Sequence, residues 1–454
     1  MLPVVSVAEM RAADSASPVG EATLVRRAGT AVAHEALRML GGAYGRRVVV
    51  VAGKGNNGAD GRVAAAVLAR RGARVAVVSP DPGLVIGPCD LVVDAALGTG
   101  LRGPYHAPPA PPGALVLAVD IPSGVDGDTG AAPGRPLRAD RTVTFAAWKP
   151  GLLQGDGAEL CGAVRVADIG LDVGEPAVRL VEDADVAALV PRRPTRTNKW
   201  ESAVAVVAGS PGMEGAAVLA ASGAARAGAG MVRLGVPGGG QGPWPVEAVR
   251  MALPGRGWAG EVLEVLARCR ALVLGPGLGR SEETQAEVRH LLQRSPVPVV
   301  ADADALFALG DARSARAIGV LGGDQPVVVT PHDGEHARLL GEPPGPDRVA
   351  AARRLAAGVG ALGLLKGSLT AVAAPSGEVL LSDAGSSRLA TAGSGDVLSG
   401  VIGAFVARGV APFEAAALAA HVHGRAAALG EPEGLVSADL PALVAQVLSG
   451  LLGG

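Results

Sequence analysis

Cysteine is scarce in this sequence, which limits the sites that the chain can hold. The three cysteines, Cys89, Cys161 and Cys269, are odd in number and far apart along 454 residues. They offer no cluster of metal ligands, and such sparse use of cysteine suggests a reducing compartment.

Long apolar runs and strong net charge are also missing. No uncharged apolar run reaches the roughly 18 residues of a membrane span, and the first residues, MLPVVSVAEMRAAD, lack the basic region of a signal peptide. The formal net charge of -2 gives no electrostatic reason to expect a nucleic-acid or membrane partner. We therefore expect a cytoplasmic protein whose partners are small molecules.

Lysine and asparagine are so rare in this sequence that the positions where they occur are informative. Of 41 basic residues four are lysine: Lys54, Lys149, Lys199 and Lys366. The asparagines are Asn56, Asn57 and Asn198. Lysine is a compact point charge and arginine a broad fork, so a lysine that persists marks a place where arginine cannot substitute. These residues cluster beside glycine-rich loops, which favours a functional role over chance survival.

The remaining composition is that of a packed α/β protein. Hydrophobic residues make up 49% and charged residues 19%, and the length suggests two or three domains. Short apolar runs alternate with helical patterns in both halves, and the first half opens with a helix-rich segment, 6–40. This alternation predicts mostly parallel sheets with helices on both faces. Charge and proline increase over 175–197, and we place the domain boundary there, with domains 1–185 and 186–454.

Individual runs predict particular strands. In the first half they are 47–52, 74–79, 91–93, 114–119, 142–146 and 163–166. In the second half, runs 369–373 and 378–381, joined by PSG, predict a hairpin.

Three predicted strand ends in the first half carry glycine-containing polar loops. They are GKGNNGADG (53–61), DAALGTGLRGP (94–104) and DIPSGVDGDTG (120–130). The first fits the dinucleotide pattern G-x-G-x-x-G, but a dehydrogenase needs an acidic residue at the end of the second strand, and Asp81 follows a proline in a turn. Asn57, Asp94 and Ser123 offer hard oxygens for a cation, and Asp120 can act as a base. Each of these residues can alternatively be a turn or cap residue.

The stretch TAGSGDVLSGVIGAFVARG (391–409) predicts a helix that begins near Gly395. Apolar residues recur at helical spacing over 397–406, and Arg408-Gly409 is typical of a helix end. Backbone N–H groups at such a helix start stabilise a transferring phosphoryl group, and Asp396 can accept a proton from an attacking hydroxyl. The alternative is that Asp396 only caps the helix.

Two other features belong to the second half. LKGSLT (365–370) suits a nucleotide phosphate or ribose, and His332 lies just past a predicted strand, where a core or capping role is an equal alternative. His421 and His423 lack metal-ligand spacing and are interpreted as structural. The sequence contains no P-loop pattern.

The first half, about residues 1–185, resembles the epimerase domain of NAD(P)H-hydrate repair proteins. The resemblance rests on the three loops, on TVTFAAWKPGLL and on EMRAADSA and LVRRAG. It implies that Asn57, Asp94 and Ser123 hold potassium. It also implies that the hydrated dinucleotide is bound by Asn56, Asn57, Gly58, Ala59, Asp60, Gly98, Thr99, Gly100, Leu101, Arg102, Gly103, Pro104 and Asp120. Ala59 departs from the glycine usual in this family, and Arg26 stands where an acidic residue is usual.

Residues 198–430 resemble the ribokinase-like superfamily and, within it, the ADP-dependent NAD(P)H-hydrate dehydratase. The matching stretches include LGPGLG, DADAL, TPHDGE, LKGSLT and TAGSGDVLSG. The resemblance implies hydrate binding by Ala216, Gly277, His332 and Asp396. It implies binding of the adenine nucleotide by Lys366, Gly367, Ser368, Leu369, Thr370 and Gly395. Departures occur at Ala392, Phe307, Asp333 and His336.

The two resemblances together imply a Rossmann-like three-layer α/β/α domain followed by a ribokinase-like α/β domain. We expect a homo-oligomeric bifunctional enzyme that epimerises hydrated NADH or NADPH and dehydrates the S form with ADP, releasing AMP and phosphate. Asp120 and Asp396 are the expected catalytic residues, and phosphoryl transfer implies magnesium. One alternative is a small-molecule kinase of the vitamin-precursor type. In the other, the first domain is only a binding module.

Overall fold

The computed structural model describes the chain except residues 101, 102, 241, 243, 318–320, 322 and 454. The chain divides into two compact units, Leu2–Pro176 and Ala177–Gly454, with Met1 in the second. The boundary that we placed at 185/186 falls inside a helix of the second unit, Asp183–Leu189. The segment 177–189 packs with the second unit because its strand, Val178–Leu180, pairs with Val379–Leu381.

The first unit is built around a six-stranded sheet in which every neighbouring pair is parallel. Its elements are β1 (Leu2–Val4), α1 (Val7–Ala16), α2 (Glu21–Leu40), β2 (Arg47–Ala52), α3 (Asn56–Arg70), β3 (Arg74–Val78), β4 (Leu91–Ala95), β5 (Leu115–Val119), β6 (Arg141–Phe145), a 3₁₀ turn (Pro150–Leu152), α4 (Gly155–Leu160) and β7 (Ala163–Ala167). The strand order is β3-β2-β4-β5-β6-β7. All six strands predicted for this half are confirmed, with ends that differ by at most two residues.

Alternate residues of β2 point to opposite faces of this sheet. Val50 belongs to the core that contains Val32 of α2 and Leu68 of α3. Val51 packs instead with Ile86 from the segment between β3 and β4. The two long helices therefore cover one face, and connecting segments cover the other face at this strand.

The ten described strands of the second unit follow the order β8-β17-β16-β15-β14-β13-β12-β9-β10-β11 in a larger sheet. Its first elements are β8 (Val178–Leu180), α5 (Asp183–Leu189), β9 (Ala203–Val207), α6 (Glu214–Arg226), β10 (Met231–Pro237), β11 (Ala248–Leu253), α7 (Ala259–Leu266), β12 (Ala271–Leu274), α8 (Glu282–Arg294), β13 (Val299–Ala301), α9 (Asp304–Ala308) and α10 (Ala312–Ala317). The remaining elements are β14 (Val327–Val329), α11 (Asp333–Leu340), α12 (Arg348–Val359), β15 (Leu362–Leu365), β16 (Thr370–Ala373), β17 (Val379–Ser382), a 3₁₀ turn (Ser387–Leu389), α13 (Ser394–Ala407), α14 (Pro412–Leu429) and α15 (Leu440–Leu452).

Helices pack on both faces of the second sheet. Val206 of β9 lies in the core formed with α6, α13 and α14, whereas the adjacent Val207 lies in the core formed with α7 and α8. Strands β16 and β17 pair antiparallel, which confirms the predicted hairpin. Sequence patterns missed β8 because it is three residues long within a segment rich in charge and proline. Among the described residues, we find no helix with the length and apolar character that crossing a bilayer requires.

Helices α6 and α13 approach each other so closely that their contact depends on glycine. A Cβ atom on Gly400 would lie 2.1 Å from the carbonyl oxygen of Ala220, and one on Gly223 would lie 2.5 Å from that of Val397. Backbone atoms cannot move aside cheaply, so these two glycines set the distance between the helices. Helix α13 carries Asp396, a predicted catalytic residue, in its first turn.

We predict that Gly400→Ala destabilises the second unit by about 2 kcal/mol, because the added methyl overpacks a backbone contact. The measurement is urea unfolding followed by circular dichroism. Gly260→Ala in α7 is the matched control: nothing lies within 4 Å of its Cβ position, and alanine raises helix propensity there. Equal stability of the Gly400→Ala protein and the Gly260→Ala control would contradict this account of the helix contact.

Candidate functional site

A cleft of about 900 Å³ opens at the carboxyl ends of the strands in the first unit. Its walls come from the loops after β2, β4 and β5 and from helices α1 and α2. Parallel strands bring their carboxyl ends to one edge of a sheet, which is where such folds bind ligands. Three loops that the sequence singled out therefore meet at one place.

The loop after β2 depends on close backbone packing. A Cβ atom on Gly58 would lie 2.0 Å from the carbonyl oxygen of Gly53, and one on Gly53 would lie 2.0 Å from that of Ala96. Helix α3 begins at Asn56, so its first N–H groups lie beside the cleft and suit an anionic ligand. Ala59 takes part in this helix, with its N–H donating to Gly55 O at 3.1 Å, so a methyl group replaces glycine here without disturbing the turn.

Several buried oxygen atoms lie close together near the start of α3. The side-chain amide of Asn57 donates to Leu97 O at 2.8 Å, while its Oδ1 is buried without a hydrogen-bond partner. Ser123 Oγ lies 3.0 Å from the same Leu97 oxygen, and Asp94 Oδ2 accepts from Ser123 N at 2.9 Å. Burial raises the pKa of the Asp94 carboxyl, so a cation at this place would stabilise its ionised form. The three predicted cation ligands are thus neighbours, and the orphaned Asn57 oxygen fits a bound cation.

Asp120 lies at the end of β5 in a conformation that few non-glycine residues adopt. Its φ is +65°, in the left-handed region, and strained positions of this kind persist where the surroundings hold them. Its Oδ1 lies 2.8 Å from the ammonium of Lys149, which is 1% exposed, and 3.0 Å from Thr144 Oγ1. Lys149 also donates to Thr144 Oγ1 at 2.7 Å and to Phe145 O at 3.0 Å. The ammonium is thereby fixed against Asp120.

Two further carboxyl groups line the same cleft. Burial, with the negative charges of Asp120 and Asp14, raises the pKa of Asp60 to about 8. Burial also raises the pKa of Asp14, although the charge of Lys149 opposes this. The cleft therefore holds a carboxylate paired with an ammonium and a carboxyl group, Asp60, that is protonated at neutral pH.

The other predicted residues of this cleft are placed differently. Gly98, Thr99 and Gly100 line it, whereas Gly103 and Pro104 are exposed and are not among its described lining residues. Leu101 and Arg102 lie outside the described residues. Sequence reasoning assigned no role to Arg62, which lines the cleft and donates to Gly53 O at 2.9 Å.

In the second unit the start of α13 meets residues from two strand ends. Gly393 caps the helix with φ of 89°, and a Cβ atom on Gly395 would lie 3.2 Å from Lys366 Nζ and 3.6 Å from Asp302 Oδ2. Asp302 follows β13 and Lys366 follows β15. The absence of a side chain at Gly395 therefore leaves the first N–H groups of α13 open next to an ammonium.

Lys366 is held by carboxylates. Its Nζ lies 2.8 Å from Asp302 Oδ1 and 4.0 Å from Glu335 Oε2, and Ser399 Oγ donates to Asp302 Oδ2 at 2.7 Å. Burial alone would lower the pKa of this ammonium, but the charges of Asp302 and Glu335 outweigh it, so the pKa is raised and the lysine stays charged. The stretches DADAL and TPHDGE contain Asp302 and Glu335, but the sequence alone predicts no role for either residue.

Asp396 occupies the third position of α13, and the cap position of this helix is taken by Gly393. Burial is the largest cause that raises its pKa to about 7, and the charge of Asp302 adds to this while that of Lys366 opposes it. The interpretation of Asp396 as a mere helix cap is therefore not supported. A carboxyl group of this pKa can take up or release a proton near neutral pH.

The remaining predicted residues of the second unit contact neighbouring loops and helices. Gly277, at φ 62°, lies next to Ala216, because a Cβ atom on Gly277 would be 3.0 Å from the Ala216 methyl. Arg348 of α12 holds the LKGSLT loop by donating to two of its carbonyl groups, Lys366 O at 2.5 Å and Leu369 O at 2.9 Å. A Cβ atom on Gly367 would collide with that guanidinium at 2.5 Å. The same loop contains Ser368 and ends with Thr370 at the start of β16.

Three histidines have structural contacts. His332 caps α11: its Nδ1 accepts from Gly334 N at 3.0 Å and from Glu335 N at 3.2 Å, while its side chain is 61% exposed. His421 Nε2 lies 2.8 Å from Asp183 Oδ1. Burial lowers the pKa of His423 to about 4, so this buried histidine is neutral. The capping alternative for His332 is confirmed, and its predicted contact with a ligand stays a prediction.

Comparisons with known proteins agree with this division of the chain. A family model described as NAD(P)H-hydrate dehydratase matches residues 204–448. A second, described as YjeF-related protein N-terminus, matches residues 21–86 and 78–151. Among solved structures, an ADP/ATP-dependent NAD(P)H-hydrate dehydratase from Bacillus subtilis, co-crystallised with ATP and Mg²⁺, is 28% identical with a TM-score of 0.50 and covers 60% of this chain and 97% of its own. A ribokinase-like protein from Enterococcus faecalis, 21% identical with a TM-score of 0.50, covers 61% of this chain and 97% of its own and supports the fold.

Full-length relatives are described as bifunctional NAD(P)H-hydrate repair enzymes. The relative from Mycobacterium leprae is 39% identical over 93% of this chain and 93% of its own length. That from Mycobacterium tuberculosis is 41% identical over 91% and 90%, and that from Escherichia coli is 33% identical over 84% and 80%. The chain belongs to the family of bifunctional NAD(P)H-hydrate repair enzymes.

Proposed function

We propose that this chain restores hydrated NADH and NADPH in two steps at two separate sites. The unit Leu2–Pro176 interconverts the R and S epimers of the hydrate, and the unit Ala177–Gly454 dehydrates the S epimer with ADP to give NAD(P)H, AMP and phosphate. The observation that carries the proposal is the start of α13, where Asp396, with a pKa of about 7, lies near the charged Lys366. The family of the chain names the substrate class.

The dehydration follows from groups at the start of α13. The hydroxyl oxygen of the hydrate attacks the β-phosphorus of ADP, the bond to the AMP oxygen breaks, and Asp396 takes the hydroxyl proton. Lys366 and the N–H groups opened by Gly395 stabilise the charge on the transferring group. Phosphate then leaves with its bonding electron pair as the neighbouring carbon loses a proton and the ring double bond forms. We assign hydrate binding to Ala216, Gly277 and His332 and nucleotide binding to residues 366–370.

Magnesium is expected to come to this site with the nucleotide. Asp302 is paired with Lys366, and the described residues hold no group of three acidic, histidine or cysteine side chains arranged for a metal. Mg²⁺ in such enzymes is bound mainly by substrate phosphates and water, with one or two carboxylates, where it neutralises phosphate charge. These residues fit that arrangement.

The hydroxyl-bearing carbon of the hydrate changes configuration only if one of its bonds breaks and re-forms on the opposite face, so epimerisation needs one group that takes a proton from the hydrate as the bond breaks and one that returns a proton as it re-forms. Asp120, fixed by Lys149 at 2.8 Å, is the proposed base, and Asp60, with a pKa of about 8, can supply the proton. Because the proton is returned within the cycle, no co-substrate is consumed. We assign the dinucleotide to the loops 56–60 and 98–104, with the start of α3 next to its phosphates.

Potassium is the cation that we propose for Asn57, Asp94, Ser123 and Leu97 O. Four oxygens, one of them orphaned and one a buried carboxylate, match the hard ligands that such a cation takes. A cation there would tie the loop after β4 to the start of α3 and offset the negative charge of a bound dinucleotide.

We predict that the two activities separate by mutation. With mixed R,S hydrate and ADP, Asp120→Ala should convert the S fraction and then slow to the spontaneous epimerisation rate. Asp396→Asn should equilibrate the epimers but lose about 10²-fold or more in dehydration, the usual effect of removing a general base. Absorbance of the reduced nicotinamide and chromatography of the epimers measure both. Mixing the variants should restore full conversion, because the intermediate diffuses between sites.

The epimerase assignment fails if Asp120→Ala consumes both epimers at the parental rate. The dehydratase assignment fails if Asp396→Asn retains near-normal turnover. Formation of ADP from ATP on a vitamin precursor, with the hydrate untouched, would instead identify a small-molecule kinase.

The pH dependence of dehydration provides a second prediction. Asp396 accepts a proton only when ionised, so the rate should fall as pH drops through about 7, the pKa of this group. Asp302→Asn removes a neighbouring negative charge and should move this midpoint to lower pH, whereas the surface variant Glu283→Gln should not move it. The rate is measured from pH 5.5 to about 8.5. An unchanged midpoint in Asp302→Asn would contradict the assignment.

A third prediction concerns potassium and thermal stability. Bound K⁺ at a hundredfold excess over its dissociation constant stabilises the first unit by about 2.7 kcal/mol. Unfolding in KCl and in choline chloride of equal ionic strength measures this difference. Asn57→Ala should abolish the stabilisation, and the exposed neighbour variant Asn56→Ala should keep it. The same stabilisation in Asn57→Ala would rule out this cation site.

A further inference from the structure

The unit 177–454 contains a cavity that lies far from Asp396. It has a volume of about 400 Å³ and is formed by the segment 191–202, by Gly228 and Gly230 after α6, and by Arg408 after α13. Arg408 follows the end of α13 that is opposite to Asp396, and the segment 191–202 leads into the amino end of β9. Helix α13 has 14 residues and is therefore about 21 Å long. The cavity is thus separate from the nucleotide site.

Positive charge dominates the lining of this cavity. It contains four cationic side chains, Arg192, Arg193, Lys199 and Arg408, and one carboxylate, Glu201. The carboxylate is engaged by neutral donors, since Glu201 accepts from Thr197 Oγ1 at 2.6 Å and from Asn198 Nδ2 at 2.8 Å. Within the described parts of the chain, Arg193, Lys199 and Arg408 have no carboxylate partner.

Backbone carbonyl groups hold two of the guanidinium groups in place. Arg408 donates to Ala227 O at 3.0 Å and to Pro191 O, and Arg193 donates to Gly228 O at 3.1 Å. Burial lowers the pKa of Arg408, and the neighbouring charge of Arg193 lowers it further. Two like charges are therefore kept near each other, and an arginine has five N–H donors, so both retain donors for a further acceptor.

We propose that this cavity binds a phosphate group, either free orthophosphate or the phosphate of a nucleotide. Guanidinium groups recognise phosphate through paired, charge-assisted hydrogen bonds, and an anion here relieves the repulsion between Arg193 and Arg408. Among the described residues that line the cavity, none is an aromatic side chain on which a base would stack, so recognition rests on the phosphate. The volume falls within the range of small-molecule sites, about 300–1,000 Å³.

Calorimetric titration of the full chain tests this proposal. Sodium orthophosphate and AMP are titrated separately into the full chain at low ionic strength, without ADP, because ADP would itself carry phosphate into the cavity. At least one probe should bind, and Arg193→Glu should weaken that binding at least tenfold, about the effect of one charged hydrogen bond. Lys199→Glu should weaken it in the same direction. If AMP and orthophosphate both bind, the ligand is phosphate in either form, and if one binds it identifies the source.

Arg256→Glu is the matched control. This arginine is 80% exposed in the same unit, outside the cavity, and its reversal changes the net charge by the same amount. All variants keep the loops of the two proposed active sites. Binding heat that is lost in Arg193→Glu and Lys199→Glu but kept in Arg256→Glu therefore comes from the cavity. Unchanged binding in Arg193→Glu, an equal loss in Arg256→Glu, or no binding of either probe at millimolar concentration would overturn the proposal.

Discussion

The ion pair between Lys366 and Asp302 determines the arrangement around the start of α13. It joins the ends of β13 and β15 at 2.8 Å, and Ser399 of α13 donates to the same carboxylate. Asp302 is almost fully buried, so removal of either partner leaves an uncompensated charge, which typically costs about 3–5 kcal/mol. Burial is the largest cause of the raised pKa of Asp396, and the pair adjusts this pKa in both directions, because the charge of Asp302 raises it further and the charge of Lys366 lowers it.

The first unit also pairs a lysine with an aspartate beside a second carboxyl group, on a different set of loops. Lys149 pairs with Asp120 at 2.8 Å, and the charge of Asp120 contributes to the pKa of about 8 at Asp60. Both clefts thus contain an ammonium paired with one carboxylate and a second carboxyl group that ionises near neutral pH. Two of the four lysines in a chain that otherwise uses arginine occupy these positions. An ammonium is a compact point charge, whereas a guanidinium is a broad planar fork.

Local features could be predicted from the sequence. The glycine-rich turn before α3 and the GSGD start of α13 were visible because residue spacing encodes a helix start. The pairs Lys149–Asp120 and Lys366–Asp302 were not, because they join residues 29 and 64 positions apart through the order of the strands. The capping role of His332 was one of two open alternatives, and only backbone geometry separates a capping histidine from one in a core. Gly103 and Pro104 belong to a predicted binding loop, yet they lie exposed, because loop length alone does not determine where the chain leaves the cleft.

The central claim is that one chain converts both epimers of the hydrate to reduced dinucleotide. The most direct measurement starts from the purified R epimer, with wild-type protein, ADP, Mg²⁺ and K⁺, and follows reduced nicotinamide by absorbance and nucleotides by chromatography. The account predicts complete conversion of R, with AMP, phosphate and NAD(P)H formed in equal amounts and the S epimer as a transient. Persistence of the R epimer at the spontaneous rate, or reduced nicotinamide formed without AMP, would contradict it.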